Sequence, residues 1–177
     1  MENTPPGRAA TCGPTTSVCI AVVACDPAHA HARILIDELS VRLAAITGDS
    51  GASSFSPDDL RVPRALFVIA HAPNDSSILL GCGALRPLDT DIAELKRMYA
   101  RPGTSGVGAA LLAHLERAAV AFGYGELWLE TRRVNTRAVH FYLKHGYREI
   151  PNFGRYIGRQ DAICLGKPFL QALHGHP

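Results

Sequence analysis

Short apolar runs and longer helical periodicities take turns along this chain. Ser17-Val18-Cys19-Ile20-Ala21-Val22-Val23 is an apolar run of strand length. Asp26-Pro27 has the chemistry of a helix start, Asp as cap and Pro in the first helical position. Ile34, Leu35, Leu39, Leu43 and Ile46 then recur at helical spacing. From Thr47 to Asp59 the chain turns to Gly, Ser, Asp and Pro, which predicts a long loop of the kind that is often functional or mobile. Three strand patterns follow, over 65–70, 78–85 and 93–99. They are separated by the turn residues Pro73-Asn74-Asp75 and by Pro87 to Asp91, and read as an antiparallel meander. A glycine-rich turn, Gly103 to Gly108, leads into a helix from Ala109 to about Phe122, with Gly123 as its stop. Glu126 to Glu130 is a strand, Asn135 to His145 a short helix ended by Gly146, and 147–150 and 162–165 are closing strands.

This order predicts a mixed α/β fold with a mostly antiparallel central sheet and a central βαβ unit. Residues 1–16 read as a flexible tail, 17–170 as one domain and 171–177 as a second tail. The length of 177 residues fits a single domain with an ample core. The formal net charge of +2 gives no electrostatic argument for nucleic acid or an acidic membrane surface, and no apolar run reaches transmembrane length. Five cysteines, Cys12, Cys19, Cys25, Cys82 and Cys164, form no CxxC, and the N-terminus lacks a leader pattern. A reduced, cytoplasmic setting without a zinc site is the simplest expectation.

The glycine turn carries the first chemistry. Backbone amides at a helix start are unpaired and converge, and with the helix dipole they favour phosphate oxygens. Gly106 and Gly108 let a ligand approach the backbone. A P-loop needs Gly-Lys-Ser/Thr, which is absent, and a dinucleotide fingerprint needs Gly or Ala where Leu111 stands. A tight structural turn is the plain alternative.

Further residues narrow the choice. Gly81-Cys82-Gly83-Ala84-Leu85-Arg86, Ala93-Glu94-Leu95-Lys96-Arg97-Met98-Tyr99 and Gly106-Val107-Gly108-Ala109-Ala110-Leu111-Leu112 are followed by Asn135-Thr136-Arg137-Ala138-Val139-His140-Phe141-Tyr142 and Gly146-Tyr147-Arg148. Over about residues 65–169 the chain resembles the GNAT superfamily of acetyl-CoA-dependent N-acetyltransferases. The resemblance implies a GNAT-like fold whose βαβ unit binds acyl-CoA. It implies that the strand at Met98, Tyr99 and Ala100 bonds the pantetheine arm. The pyrophosphate loop falls on Gly103, Thr104, Ser105, Gly106, Val107, Gly108 and Ala109. Asn135 and Ala138 lie at the coenzyme, and Tyr142 protonates the leaving thiolate. The family usually has a basic or amide residue where Gly103 stands, and Arg101 is placed to fold back in its stead.

The implied reaction is direct attack of an amine on the thioester. The amine must lose a proton, the oxyanion needs a backbone donor, and the thiolate must be stabilised. Glu94 is the candidate base; a water chain ending at Glu94 or Glu130 serves the same end, and a plain pairing of Glu94 with Lys96 is the bland reading. Tyr142 has its own bland reading as a core tyrosine. Arg132, Arg133 and Arg137 form a solvated face unless one meets a coenzyme phosphate. Arg86, Phe55 and Tyr156 are the acceptor-side candidates, an arginine there suiting an acceptor with a carboxylate. Expected partners are thus acetyl-CoA as co-substrate and a small-molecule or peptide amine, with no metal, nucleic acid or membrane. Dimers are common in the resembling family, but nothing in these residues marks an interface, so the oligomeric state stays open between monomer and homodimer. A non-catalytic acyl-CoA sensor of the same fold is the alternative function.

Overall fold

The computed structural model describes residues 20–169. They form one seven-stranded sheet with helices on both faces. The strands are β1 (Ala21–Ala24), β2 (Leu66–Ala72), β3 (Asp75–Pro87), β4 (Ile92–Ala100), β5 (Glu126–Arg132), β6 (Arg148–Ile150) and β7 (Ala162–Pro168), in the spatial order β1-β2-β3-β4-β5-β7-β6. All neighbours are antiparallel except β4 and β5, which are parallel and joined across the sheet by helix α2 (Val107–Ala121). This is the mixed sheet with a central βαβ unit that the residue pattern predicts. The expected tails and the run Ser17 to Cys19 lie outside the described residues.

Two cores sandwich the sheet. On one face Leu111, Leu112 and Leu115 of α2 pack on Val68, Leu85 and Leu95, and Tyr142 of α3 (Thr136–Lys144) joins the same cluster. On the other, Ala32, Leu35 and Leu39 of α1 (Ala30–Thr47) pack on Phe67, Ile69 and Cys82. At roughly 25 cal/mol per Å² of buried apolar surface, each fully buried leucine contributes about 2 kcal/mol, so these two interfaces carry most of the fold. Gly81 is required where β3 meets both α2 and its neighbour strand. A Cβ there would lie 2.2 Å from the Tyr99 carbonyl oxygen and 3.0 Å from Val107.

The feature that creates a cleft is in β4. Cys82 pairs with Tyr99 and Ala84 with Lys96, so Gly83 faces two residues, Arg97 and Met98. That is a β-bulge, and Arg97 takes the left-handed φ of 53° that bulges of this kind require. The bulge reverses the alternation of the strand. Ala93 and Leu95 face α2 before it, Met98 and Ala100 after it. Lys96 and Arg97, adjacent in sequence, therefore both turn toward the α1 side. Pairing with β5 ends at Glu94–Trp128, and beyond this point β4 and β5 diverge.

Two local expectations change. Helix α1 does not start at Asp26-Pro27: Asp26 Oδ1 accepts from the Ala28 amide at 2.7 Å and closes a turn, and His29 caps the helix by accepting from the His31 amide. Ile34 and Ile46, predicted on the apolar face, are 45% and 38% exposed because Ala32, Leu35 and Leu39 take the contacts. The segment from Thr47 to Asp59 does lack long elements, but two 3₁₀ turns, Ala52–Ser54 and Pro57–Leu60, order it. Arg97 ties it down, donating to the Ser50 and Gly51 carbonyls at 3.3 and 2.8 Å with its guanidinium over the Phe55 ring.

Candidate active site

Two cavities open where β4 leaves β5. The larger, of about 470 Å³, runs from Met98, Tyr99 and Ala100 past Thr104 and the start of α2 to α3. Gly106, with φ 77°, caps α2 and offers no side-chain acceptor to the first turn. The amides of Val107, Gly108 and Ala109 thus have no intrahelical partner, and the first helical bond is Ala110 to Gly106. Gly108 packs beside α3, where a Cβ would sit 3.4 Å from the Phe141 ring, an ordinary contact. The outer walls are basic: Arg42, Arg137, Lys144 and His145 all face this groove.

The smaller cavity, of about 150 Å³, lies between β4, β5, the Asp49–Ser54 loop and the 3₁₀ turn Gly154–Tyr156. Leu39, Leu43, Met98, Asn135, Ala138 and Tyr142 line both cavities, so these two spaces adjoin around Tyr142. Buried to 7% exposure, Tyr142 makes no hydrogen bond to any described residue through its hydroxyl, and burial raises its pKa. Asn135 is the N-cap of α3, its Oδ1 accepting from the Ala138 amide at 3.3 Å; this use explains why an Asn stands three residues before an Ala.

Glu130, on β5, projects into the smaller cavity. Its Oε1 is buried without any hydrogen-bond partner, and Arg132 Nε, at 3.7 Å, is beyond bonding range. Desolvation raises its pKa above the ordinary glutamate value, against the opposing pull of Arg132, Lys96 and Arg159. Glu94 is in a different situation. It is 2% exposed, its Oε1 is 2.9 Å from Lys96 Nζ and its Oε2 is 2.8 Å from Arg86 Nη2. Both oxygens are spent on cations, and Glu94 lines neither cavity.

The remaining candidates separate in the same way. Tyr156 lines the smaller cavity and accepts from Lys96 Nζ at 2.7 Å. Arg86 does not reach it, because Asp59 and Glu94 hold the guanidinium. Phe55 lies outside the lining too, underneath Arg97. Of the glycine turn, Gly103 and Ser105 stay out of the groove; Gly103 faces open space with φ 79°. Arg101 does not fold back to supply charge there. Glu38 takes it in a bidentate pair at 2.7 and 2.9 Å, and its third donation goes to the Leu79 carbonyl. Tyr99 joins the same carboxylate through its hydroxyl, leaving only its strand backbone for the groove. Arg137 lines the groove, while Arg133 pairs with Glu149 on the surface and Arg132 with Asp49 and Asp161. Arg42, Lys144, Arg97, Arg155 and Arg159 escaped the sequence reading. Lys144 reads as an ordinary partner of a helix C-terminus, and only the bulge aims Arg97 inward.

Among the described residues, no cluster of three or more His, Cys, Asp or Glu is placed to hold a metal. None of their helices is long and apolar enough to cross a membrane. Cys82 is fully buried and its thiol donates to the Arg97 carbonyl at 3.4 Å, a contact that supports the bulge. Burial pushes its pKa well up, so it is no nucleophile.

Residues 35–147 match the sequence profile of the Acetyltransferase (GNAT) family. A curated relative, the IAA acetyltransferase of Azospirillum brasilense, is 31% identical over 138 residues, covering 76% of this chain and 88% of that protein. The fold is similar to that of a proposed acyl-CoA N-acyltransferase from Klebsiella pneumoniae, with a TM-score of 0.71 at 24% identity over 85% of this chain and 98% of the other. It is similar also to a GNAT family acetyltransferase from Elizabethkingia anophelis that holds acetyl-CoA, with a TM-score of 0.61 at 19% identity over 85% and 98% of the two chains. With the family profile spanning most of the chain, and the diverging β4 and β5 at its centre, the protein belongs to the GNAT family of acetyltransferases.

Proposed function

We propose that the protein transfers an acetyl group from acetyl-CoA to the amine of a small molecule, with Glu130 as the base and Tyr142 at the leaving sulfur. One observation carries this reading: the two cavities adjoin at Tyr142, and the only buried side-chain oxygen without a partner among the described residues, that of Glu130, faces the smaller one.

The larger groove suits the co-substrate. Uncapped amides at the start of α2 fit phosphate oxygens. Arg42, Arg137 and Lys144 add the positive charge that the Gly103 position lacks. The backbone of Met98 to Ala100, without a β5 partner, offers hydrogen bonds to an amide-bearing arm. When bound, acetyl-CoA supplies an acyl group activated for attack. The chain's own residues then have three tasks. Glu130 takes the proton from an incoming ammonium, and its raised pKa brings it closer to that of the amine while leaving it ionised above the shifted value. A β4 amide freed by the divergence can meet developing negative charge on the acyl oxygen. Tyr142 keeps its proton near neutral pH, because burial raises its pKa, and its unpaired hydroxyl can donate to a departing thiolate.

Glu94, the base expected on sequence grounds, has another part in this reading. Held by Arg86 and Lys96, it positions Lys96 and through it Tyr156. The test is calorimetric titration with acetyl-CoA, with ATP and NAD as controls, followed by an amine panel scored by thiol release. Binding of acetyl-CoA alone and amine-dependent thiol release are expected. Binding without release for any amine would favour the non-catalytic sensor instead, and full activity in Tyr142→Phe would remove Tyr142 from the leaving sulfur.

A further inference from the structure

We infer that the acceptor is a small amine that also carries a carboxylate, an amino acid or a molecule of that kind, with its carboxylate against Arg97 and Arg155. This rests on the acetyl-transfer reading above. It starts from the charge of the smaller cavity. Lys96, Arg97, Arg132, Arg155 and Arg159 line it against two carboxylates, Asp49 and Glu130. Three of the cations are neutralised: Lys96 by Glu94, Arg132 by Asp49 and Asp161, and Arg159 by Asp161. The other two are not. Arg97 donates only to neutral oxygens, those of Ser40, Ser50 and Gly51, although it is 9% exposed. Arg155 donates only to the Ser53 carbonyl, at 2.8 Å.

The Arg97 guanidinium is buried without an ion pair, which is costly, and an anion arriving beside it recovers part of that cost, while the exposed Arg155 adds a second donor fork rather than relief of burial. Both uncompensated guanidiniums end on the same short stretch, Ser50 to Ser53, and so share one wall of the cavity. Glu130 belongs to β5, not to that loop. The cavity is thus polarised, with a carboxylate from the sheet whose Oε1 accepts no hydrogen bond and meets Arg132 only at 3.7 Å, and guanidiniums without an ion pair at the loop. A zwitterion satisfies both ends at once, its ammonium toward Glu130 and its carboxylate toward the arginines, whose planar fork suits it. The space of about 150 Å³ is of the size that takes a small molecule of this kind.

The experiment compares free amino acids with their own primary amides, glycine with glycinamide and phenylalanine with phenylalaninamide among them, under saturating acetyl-CoA. The amides have the less basic amine and hence more free base at neutral pH, so chemistry alone favours them. The site reverses the order: kcat/KM is higher for the free acids, and Arg155→Gln raises their KM about tenfold, a loss of ~1.4 kcal/mol, while leaving the amides and acetyl-CoA binding unchanged. Arg155 is exposed and contacts one carbonyl, so this variant folds. Equal or better turnover of amides, turnover by neutral amines alone, or an Arg155→Gln enzyme whose KM for the acids is unchanged would overturn the inference and leave acetyl transfer standing. Failure to bind acetyl-CoA at all would remove both.

Discussion

Replacing Glu130 by Gln keeps the shape and removes the charge, and it should move activity and stability in opposite directions. The carboxylate is buried, one oxygen has no partner and the nearest cation is 3.7 Å away. An unsatisfied buried group of this type costs about 1–3 kcal/mol. Because the amide still carries polar atoms, recovery of about 1 kcal/mol is the reasonable expectation, or roughly 2–4 °C in Tm for a domain of this size. The pH dependence fixes the cause. The folded pKa of Glu130 lies above its unfolded value near 4.5. Below pH 4.5 it is protonated in both states and costs nothing; as the pH rises through the folded pKa, the unfolded state gains from ionisation first and the native protein loses stability. The Tm difference between variant and wild type should therefore be small in acid, open above pH 4.5 and then level off. Catalysis should fall by about 10²–10⁴ in kcat/KM, the usual contribution of a general base, and the acid limb of the wild-type rate profile should disappear. Thermal scanning and thiol release across a pH series read both effects. A variant with wild-type kcat/KM and an unshifted acid limb would refute the role of Glu130; a lower Tm at neutral pH would refute the account of its burial.

Other variants separate the remaining roles. Tyr142→Phe removes a hydroxyl with no protein partner, so Tm and the KM for acetyl-CoA should hold while kcat falls by about 10²-fold, measured by steady-state thiol release. Glu94→Gln breaks a buried network with Arg86 and Lys96, and denaturant unfolding should show a loss of about 3–5 kcal/mol. Retained stability together with lost turnover in that variant would return the base to Glu94. Gly81→Ala drives a Cβ into the Tyr99 carbonyl, and the same unfolding assay should show at least about 2 kcal/mol lost, since the obstacle is backbone.

How far the sequence could be read depended on whether the signal was local. The strands, α2 and α3 announce themselves through apolar period, Gly123 and Gly146; most bounds lie within two residues of expectation, while β3 begins three residues earlier and β7 ends three later than their apolar runs. The family motif led to the groove because its residues are contiguous: Met98 to Ala100 and Gly106 to Ala109 all line it. Side-chain commitments over long sequence distances were not legible. Nothing in Arg101 announces that Glu38 holds it, and nothing in Arg86 announces Asp59. Between Glu94 and Glu130 the choice turned on which carboxylate found two cations, a tertiary fact. Glu94 and Lys96 lie together, as their spacing of two allows, whereas the face of Arg97 is set by an inserted residue that a pattern of period two does not reveal.

That inserted residue has a consequence for how this chain tolerates change. Side chains at position 97 can be exchanged, and the loss is confined to one wall of a cavity. Deleting the position is a different event. Gly83 would then face Met98 alone, Met98 and Tyr99 would keep their faces, and β4 would run on as a regular ladder beside β3 without its kink. The gap in which both substrates are to meet exists because this strand is one residue longer than its neighbour requires. The length of this strand is therefore as much a part of the site as its side chains, and loss of one codon at position 97 should leave a well-folded sheet with nowhere to work.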